Sequence, residues 1–402
     1  MPNNNLANAR RARNDEFYTQ YGDIQKEIEA YLEYNPDVFR KKVVYCNCDD
    51  PYESNFFRYF VLNFHKLGLK QLITTSYKPS PIANKQLSLF GDDITLPKLK
   101  GRPKINANKF VINEARDIDG DGEFNLKDVA KQLQANKQNK WMPLEGDGDF
   151  RSAECIKLLK QSDIVVTNPP FSLFREYIKQ LFDYNKKFVI IGNMNAITYK
   201  DIFPKIKKNM LWLGATNFNT GMYFNVPEGF KYAATYKFER ESNGEKVNRV
   251  PGVCWFTNLD HGRRHQPLPL MTMEENLKYS RHKEIQGKKA YDKYDNYDAI
   301  EVPFTVSIPS DYDGVMGVPI TFLDKYSPEQ FEILGSDADD ESPPIKKYSA
   351  KVKVKDDKRM KSNTGTMGCV IREDHFGAGT YFDVGYPVRA VYKRIFIRHK
   401  RK

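Results

Sequence analysis

Residues 164–171 read Ile-Val-Val-Thr-Asn-Pro-Pro-Phe, and no other stretch narrows the fold as far. Four apolar or β-branched residues make a short buried strand, and the two prolines after it remove two backbone donors and fix φ, so the turn is rigid. The segment around Leu173 to Phe182 reads as a helix, and Phe188 to Ile191 as the next strand. Upstream the same alternation appears. Gly22 to Leu32 carries Ile24, Ile28, Tyr31 and Leu32 on one helical face, Val43 to Cys46 reads as a strand, Asn55 to Phe64 as a largely buried helix and Leu72 to Ser76 as a second strand. Lys109 to Asn113 is a third strand, with helices around Asp128 to Asn136 and Ile156 to Leu159. Strands alternating with helices point to α/β architecture with parallel pairing.

The alternation stops near residue 210, beyond which strand-like pieces dominate, among them Met222 to Val226, Ala233 to Phe238 and Gly252 to Phe256. A chain of 402 residues exceeds the roughly 150 of one domain, so two are expected. The division falls as 1–240 and 241–402, with a surface insertion at 78–104 and a linker or mobile loop over Gly335 to Pro344. Hydrophobic residues at 40% and charged residues at 29% exclude wholesale disorder and a collagen-like fibre. No apolar run reaches the 18 or so residues of a membrane span, and the opening residues lack the apolar core of a secretion signal. The five cysteines include no Cys-x-x-Cys pair, so neither a disulfide framework nor a zinc cluster is expected and a reducing cytoplasm fits.

Charge is concentrated at one end. Residues 346–402 hold 16 Lys or Arg against 5 Asp or Glu, while the first 345 residues hold 47 of each. A polyanion would meet the C-terminal part, although a solvated basic tail gives the same count.

Asn168 and the Pro169 carbonyl, at the end of a strand, can together accept both hydrogens of one exocyclic amine. That removes the nitrogen lone pair from conjugation and makes the nitrogen nucleophilic. Phe171 offers a flat face for stacking, and ligands of open parallel sheets bind beyond the carboxyl ends of strands. The other reading is an ordinary proline turn, with Asn168 capping a helix that opens at Ser172.

At these residues the chain resembles the N6-adenine DNA methyltransferases, whose motif is [D/N/S]PP[Y/F/W]. It is similar more narrowly to the EcoRI-type branch, through DEFYTQYGDI, PYESNFFRYF, GDGDFRS, VVTNPPFSLFREYI, VIIGNMNAITY and GVPITFLDKYSPEQFEILG. The resemblance implies a Rossmann-like class I S-adenosylmethionine-dependent methyltransferase domain, a mixed seven-stranded sheet flanked by helices, followed by a smaller strand-rich DNA-recognition region. It implies that Asn168, Pro169, Pro170 and Phe171 form the catalytic corner for a flipped adenine. Cofactor contacts would come from Tyr18 and Thr19, from Asp50, Pro51, Ser54 and Asn55, and from Asp149 and Phe150, with the Asp149 carboxylate accepting from the cofactor's adenine amine. The segment from Asp50 to Phe56 keeps the family's Asp-Pro-aromatic start but has no glycine, and Thr74-Thr75-Ser76-Tyr77 stands where a ribose-binding acid is usual.

The implied partners are double-stranded DNA and a cognate restriction endonuclease acting separately, with the protein itself a monomer or weak dimer. The same corner also serves ribosomal RNA guanine and protein glutamine methyltransferases, which seldom carry so large a C-terminal half. A non-catalytic DNA-binding protein that kept the fold is the third reading.

Three further motifs stand apart. Asp117, Asp119, Asp121, Asn125 and Asp128 follow calcium-loop spacing over residues 117–128, with Asp in place of the usual final Glu; the competing reading is a polar Asx-rich turn. Lys100 to Lys104 has an AT-hook-like Gly-Arg-Pro core, but the match is only five residues long and a solvated loop is the favoured reading. His261, Arg263, Arg264 and His265 form a basic cluster suited to phosphate.

Overall fold

The computed structural model describes residues 18–48, 54–77, 107–118, 120–135, 137–216, 218, 221–225, 238–240, 246–337, 345–348, 351–355, 358–361, 368–373 and 380–400. The chain divides into two units, one of residues 1–196 and 211–262, the other of residues 197–210 and 263–402. Position 240/241 lies within the first unit, between two strands that pair with each other.

In the first unit the strands are β1 (Tyr18–Thr19), β2 (Val43–Cys46), β3 (Gln71–Thr75), β4 (Asn108–Ile112), β5 (Lys140–Pro143) and β6 (Ile164–Thr167). They continue as β7 (Lys187–Asn193), β8 (Trp212–Leu213), β9 (Met222–Asn225), β10 (Phe238–Arg240), β11 (Lys246–Val250) and β12 (Val253–Thr257). The helices are α1 (Tyr21–Tyr34), α2 (Asn55–Leu62), α3 (Leu126–Ala135), α4 (Ala153–Gln161) and α5 (Phe174–Asp183).

The main sheet is mixed and has eight strands in the order β5-β4-β3-β2-β6-β7-β12-β8. Its centre is parallel, β3 on β2, β2 on β6 and β6 on β7. The flanks are antiparallel, β4 against β3, β5 against β4, β12 against β7 and β8 against β12. Every residue of β2 and β6 is buried, as expected of strands covered on both faces. One large apolar core joins Ile24, Ile28 and Tyr31 of α1, Phe56, Phe57 and Phe60 of α2, and Val44, Leu72, Val166 and Ile191 of the sheet. A second sheet of the same unit has the order β1-β9-β11-β10, so the N-terminal strand joins segments more than 200 residues away.

The second unit is strand-rich. It carries β13 (Ile300–Glu301), β14 (Met316–Pro319), β15 (Phe331–Ser336), β16 (Val352–Lys355), β17 (Lys358–Lys361), β18 (Val370–Arg372), β19 (Thr380–Asp383), β20 (Pro387–Ala390) and β21 (Arg394–His399), with two short helices, α6 (Phe203–Lys207) and α7 (Met273–Tyr279). Two sheets result, β13-β14-β21-β15 and β17-β16-β19-β20-β18. Within the first of them, Arg394 of β21 and Glu301 of β13 form a buried ion pair at 2.5 Å, and Tyr294 donates its hydroxyl hydrogen to the same carboxylate.

Some expectations are corrected. Gly335 and Ser336 are not linker: they end β15, where a bulge between Ile333 and Gly335 keeps the strand on β21. Residues 338–344, the insertion at 78–104 with its Gly-Arg-Pro core, and residues 233–237 lie outside the described residues. Among the described residues no helix is long and apolar enough to cross a membrane.

Candidate functional site

From β2 the chain moves outward through β3, β4 and β5, then returns to the other side of β2 as β6 and β7. Between β2 and β6 the order reverses, and ligands of open α/β sheets bind beyond the carboxyl ends of the strands at such a point. Asn47 follows β2 there and is 2% exposed. Its backbone carbonyl accepts from the Thr167 hydroxyl at the end of β6, and its Oδ1 accepts from the Tyr177 hydroxyl on α5. Strand, corner and following helix are thereby tied to the end of β2.

The corner itself is Asn168 to Phe171. Pro169 is buried, while Asn168, Pro170 and Phe171 keep part of their surface exposed. A 3-10 turn, Phe171–Leu173, precedes α5, with the Leu173 amide donating to the Pro170 carbonyl at 2.9 Å. The N-cap positions of the two helical segments are Pro170 and Leu173, and neither has a side-chain cap. The capping role for Asn168 is therefore not the one adopted. Phe171 rests in part against the main core, which fixes its ring near the corner.

Residues 146–150 come to the carboxyl end of the neighbouring strand β3. Gly148 has φ +80°, and a Cβ there would run into the Ser76 carbonyl, so the close approach and the left-handed backbone both require glycine. Asp149 Oδ1 accepts from the Arg151 amide at 2.8 Å and from Arg151 Nε at 2.9 Å, and Oδ2 accepts from Nη2 at 2.7 Å. This fork holds the Asp149 carboxyl below its ordinary range, against the opposing effect of partial burial. Arg151 Nη1 continues to Glu176 of α5 at 2.8 Å. Phe150 is buried, packs edge-on against Tyr177 at 4.9 Å and accepts through its carbonyl from Gln180 Nε2 at 3.1 Å. It is thus a core residue that locks this loop to α5.

Thr19, Ser54 and Asn55 form a second group. Ser54 is fully buried and caps α2, accepting from the Phe57 amide at 3.2 Å. Its hydroxyl oxygen is already engaged in holding the helix. Asn55 Nδ2 donates to the Thr19 carbonyl at 2.8 Å, and Thr19 pairs with Phe224 in the second sheet. Thr19 Oγ1 is buried with no hydrogen-bond partner among the described residues, an orphaned polar atom of the kind a bound ligand satisfies. Tyr18 is placed by its backbone alone, in β1, and Asp50 and Pro51 lie outside the described residues.

The calcium-loop spacing folds as an Asx-rich turn. Asp117 accepts from the amides of Gly120 and Gly122, Asp121 from Glu123, Asn125 from Lys127, and fully buried Asp128 from Ile118 and Asn125. Asp119 lies outside the described residues, among which no group of three or more acids, histidines or cysteines is arranged to hold a metal ion. The basic cluster is likewise committed internally. Buried His261 bonds the Leu213 carbonyl at 3.0 Å, Arg263 pairs with Asp324, Arg264 donates to Asn209, and His265 meets Glu329. These contacts, not phosphate, account for its side chains.

Asn47, Arg151, Glu176 and Tyr177 escaped the reading of the sequence. Asn47 had one signal, a polar residue immediately after an apolar strand; Tyr177 is indistinguishable from core by spacing alone.

An Asn-Pro-Pro-Phe corner at the reversal point of a mixed α/β sheet, with an acid-bearing loop at the end of β3, fits one class: an enzyme of the amino-methyltransferase type. The chain belongs to the family of the EcoRI adenine-specific methyltransferase, whose model matches residues 5–400. It is 44% identical over 329 residues to the type II methyltransferase M.EcoRI of Escherichia coli, covering 82% of this chain and 88% of that one. Identity to the type II methyltransferase M.MpnI of Mycoplasma pneumoniae is 38% over 328 residues, 81% and 83% of the two chains. Identity to M.MgeORF184P of Mycoplasma genitalium is 36% over 327 residues, 81% and 84%. No solved structure matches the chain.

Proposed function

We propose that this protein is a site-specific DNA adenine N6-methyltransferase of the type II restriction–modification kind, using S-adenosylmethionine. Family membership and the named relatives support the activity and the donor. The observation that carries the site assignment is the Asn168 corner standing at the reversal point of the sheet, anchored to Asn47 through Thr167 and Tyr177.

In this reading the Asn168 side-chain carbonyl and the Pro169 carbonyl accept the two hydrogens of the target amine, and Phe171 stacks on the base. An exocyclic amine inside a duplex cannot reach such a corner, so the adenine leaves the helix stack. The donor, when bound, supplies an electrophilic sulfonium methyl. No low-pKa base is needed, since the amine loses its proton during or after transfer. The protein contributes position, desolvation and alignment.

The residues available suit such a donor. Asp149 presents an ionised acceptor on a loop at the end of β3, and Thr19 Oγ1 is a buried hydroxyl with bonding capacity to spare. Asn55 holds Thr19 by its backbone. Thr74 and Ser76 stand where an acid for the ribose is usual, both fully buried.

The first unit is then the catalytic domain, of the Rossmann-like class I type with an additional antiparallel strand. The second, strand-rich unit is the target-recognition region, and its basic strands grip phosphate. A cytoplasmic monomer or weak dimer, with a cognate endonuclease acting separately on the same site, completes the reading. Calcium is not needed for any step. Expression in a methylation-free host, followed by sequencing for modified bases, tests the function: N6-methyladenine at one recurrent sequence is expected, and unmodified adenine throughout would refute it.

A further inference from the structure

We propose that Arg151 is the positioning residue of the cofactor loop, presenting the Asp149 carboxylate in one orientation with a single acceptor direction left for an adenine-type exocyclic amine. The proposal rests on the reading of residues 146–150 as that loop, and it concerns a residue two positions beyond the acid itself.

The bond inventory leads there. A carboxylate offers about four acceptor directions, two on each oxygen. Asp149 Oδ1 uses both, on Arg151 N and Nε, and Oδ2 uses one, on Nη2. One lone pair on Oδ2 remains. A guanidinium fork is planar and rigid, so it fixes the plane of the carboxylate as well as its charge, which a lysine ammonium would not do. The Asp149 side chain is 19% exposed, so the carboxylate is not sealed in the interior.

Arg151 is itself held from two sides. Its guanidinium lies over the Phe150 ring at 5.3 Å, and Nη1 reaches Glu176 in the first turn of α5. Because only the 3-10 turn separates α5 from the Asn168 corner, the acceptor for the cofactor and the acceptor for the target amine are referenced to one helix. Glu176 is half exposed, so it trims the orientation of the fork and does not carry its energy.

Calorimetric titration of the full chain with S-adenosylhomocysteine, which binds without turnover, tests this. Arg151→Ala should weaken binding by about tenfold, the scale of one hydrogen bond to a charged group. Arg151→Lys should recover less than half of that loss on a logarithmic scale. Asp149→Asn should also weaken binding, and Asp149→Asn with Arg151→Ala should be no weaker than Asp149→Asn alone, since the two act through one contact.

A pH series separates positioning from mere packing. Without the fork the Asp149 pKa rises, so on acidification the affinity of Arg151→Ala should begin to fall at a higher pH than that of wild type. Wild-type affinity in Arg151→Ala and Arg151→Lys, with Asp149→Asn weakened, overturns the role of Arg151 and leaves the loop reading intact. Wild-type affinity in Asp149→Asn overturns the loop reading and this proposal with it. Thermal unfolding of each variant identifies a fold defect, and the lysine variant keeps the test decisive if the alanine one unfolds.

Discussion

The side-chain amide of Asn55 donates to the backbone carbonyl of Thr19 at 2.8 Å, joining the first turn of α2 to a two-residue strand that belongs to a different sheet. One amide hydrogen thus couples the start of α2 to the N-terminal strand, where the Thr19 hydroxyl has no partner among the described residues. Asn55→Asp keeps the shape but replaces the donor with an acceptor facing a carbonyl. It should weaken S-adenosylhomocysteine binding severalfold and cost about 1–2 kcal/mol of stability. Calorimetry and chemical denaturation measure both; unchanged binding would remove β1 from the site.

Tyr177 makes a second such link. Its hydroxyl donates to Asn47, which is almost fully buried, and its ring supports Phe150. Tyr177→Phe retains the ring contact and strands Asn47 Oδ1 without its donor, at a cost of about 1–3 kcal/mol. Since Asn47 also anchors Thr167, methyl transfer should slow more than cofactor binding weakens. Single-turnover kinetics beside calorimetry reveals that split, and equal losses in both would contradict it.

Much of this frame is legible in the sequence, for a physical reason. Val43–Cys46 and Ile164–Thr167 are rich in β-branched and apolar residues and buried throughout because both faces of a central parallel strand are covered. Direction is not legible. Asn108–Ile112 shows itself as a strand, but nothing in its composition says that it runs antiparallel to Gln71–Thr75. Nor does local pattern reveal that Val253–Thr257 inserts beside Lys187–Asn193, since that pairing is set by burial of Trp255 and Phe256 in the tertiary core. The corner was visible because proline leaves a chemical mark. Arg151 was hidden because an exposed-looking arginine beside an aspartate is ordinary in any loop.

Glu27 of α1 is a carboxylate inside the first unit, fully buried. It accepts from Tyr31 Oη at 2.8 Å, from the Ala215 and Thr216 amides at 2.9 and 2.8 Å, and from Thr216 Oγ1 at 2.6 Å. Burial raises its pKa from the ordinary 4.5, opposed by these hydrogen bonds. The folded state therefore binds the proton more tightly than the unfolded one. The contribution of this linkage is full below pH 4.5 and declines as pH rises through the raised value. Glu27→Gln turns an amide donor toward groups that are themselves donors, and should destabilise by about 1–3 kcal/mol at neutral pH. It should also remove this component of the pH slope; denaturation midpoints across pH show both, and a variant as stable as wild type with the same slope would contradict the assignment.

The β16–β17 hairpin places Lys355 directly opposite Lys358 and Lys353 opposite Met360, with Lys355, Lys358 and Met360 exposed. Like charges facing each other across strands destabilise a ribbon unless an anion lies over them. Replacing Lys353, Lys355 and Lys358 with alanine should reduce the slope of log affinity for duplex DNA against log salt by about 1 per lysine. Filter binding across a salt series measures it. An unchanged slope would place the DNA elsewhere on the protein.

The most direct test is Asn168→Ala, assayed for methyl transfer to duplex DNA and for S-adenosylhomocysteine binding in the same preparation. Loss of the side-chain acceptor should lower turnover by a factor on the order of 10² to 10³ or more, as removal of one preorganised polar contact does in other active sites, while cofactor affinity stays within about twofold, under 0.5 kcal/mol. Turnover close to wild type would contradict the account, because the target amine would then be held by something other than this corner.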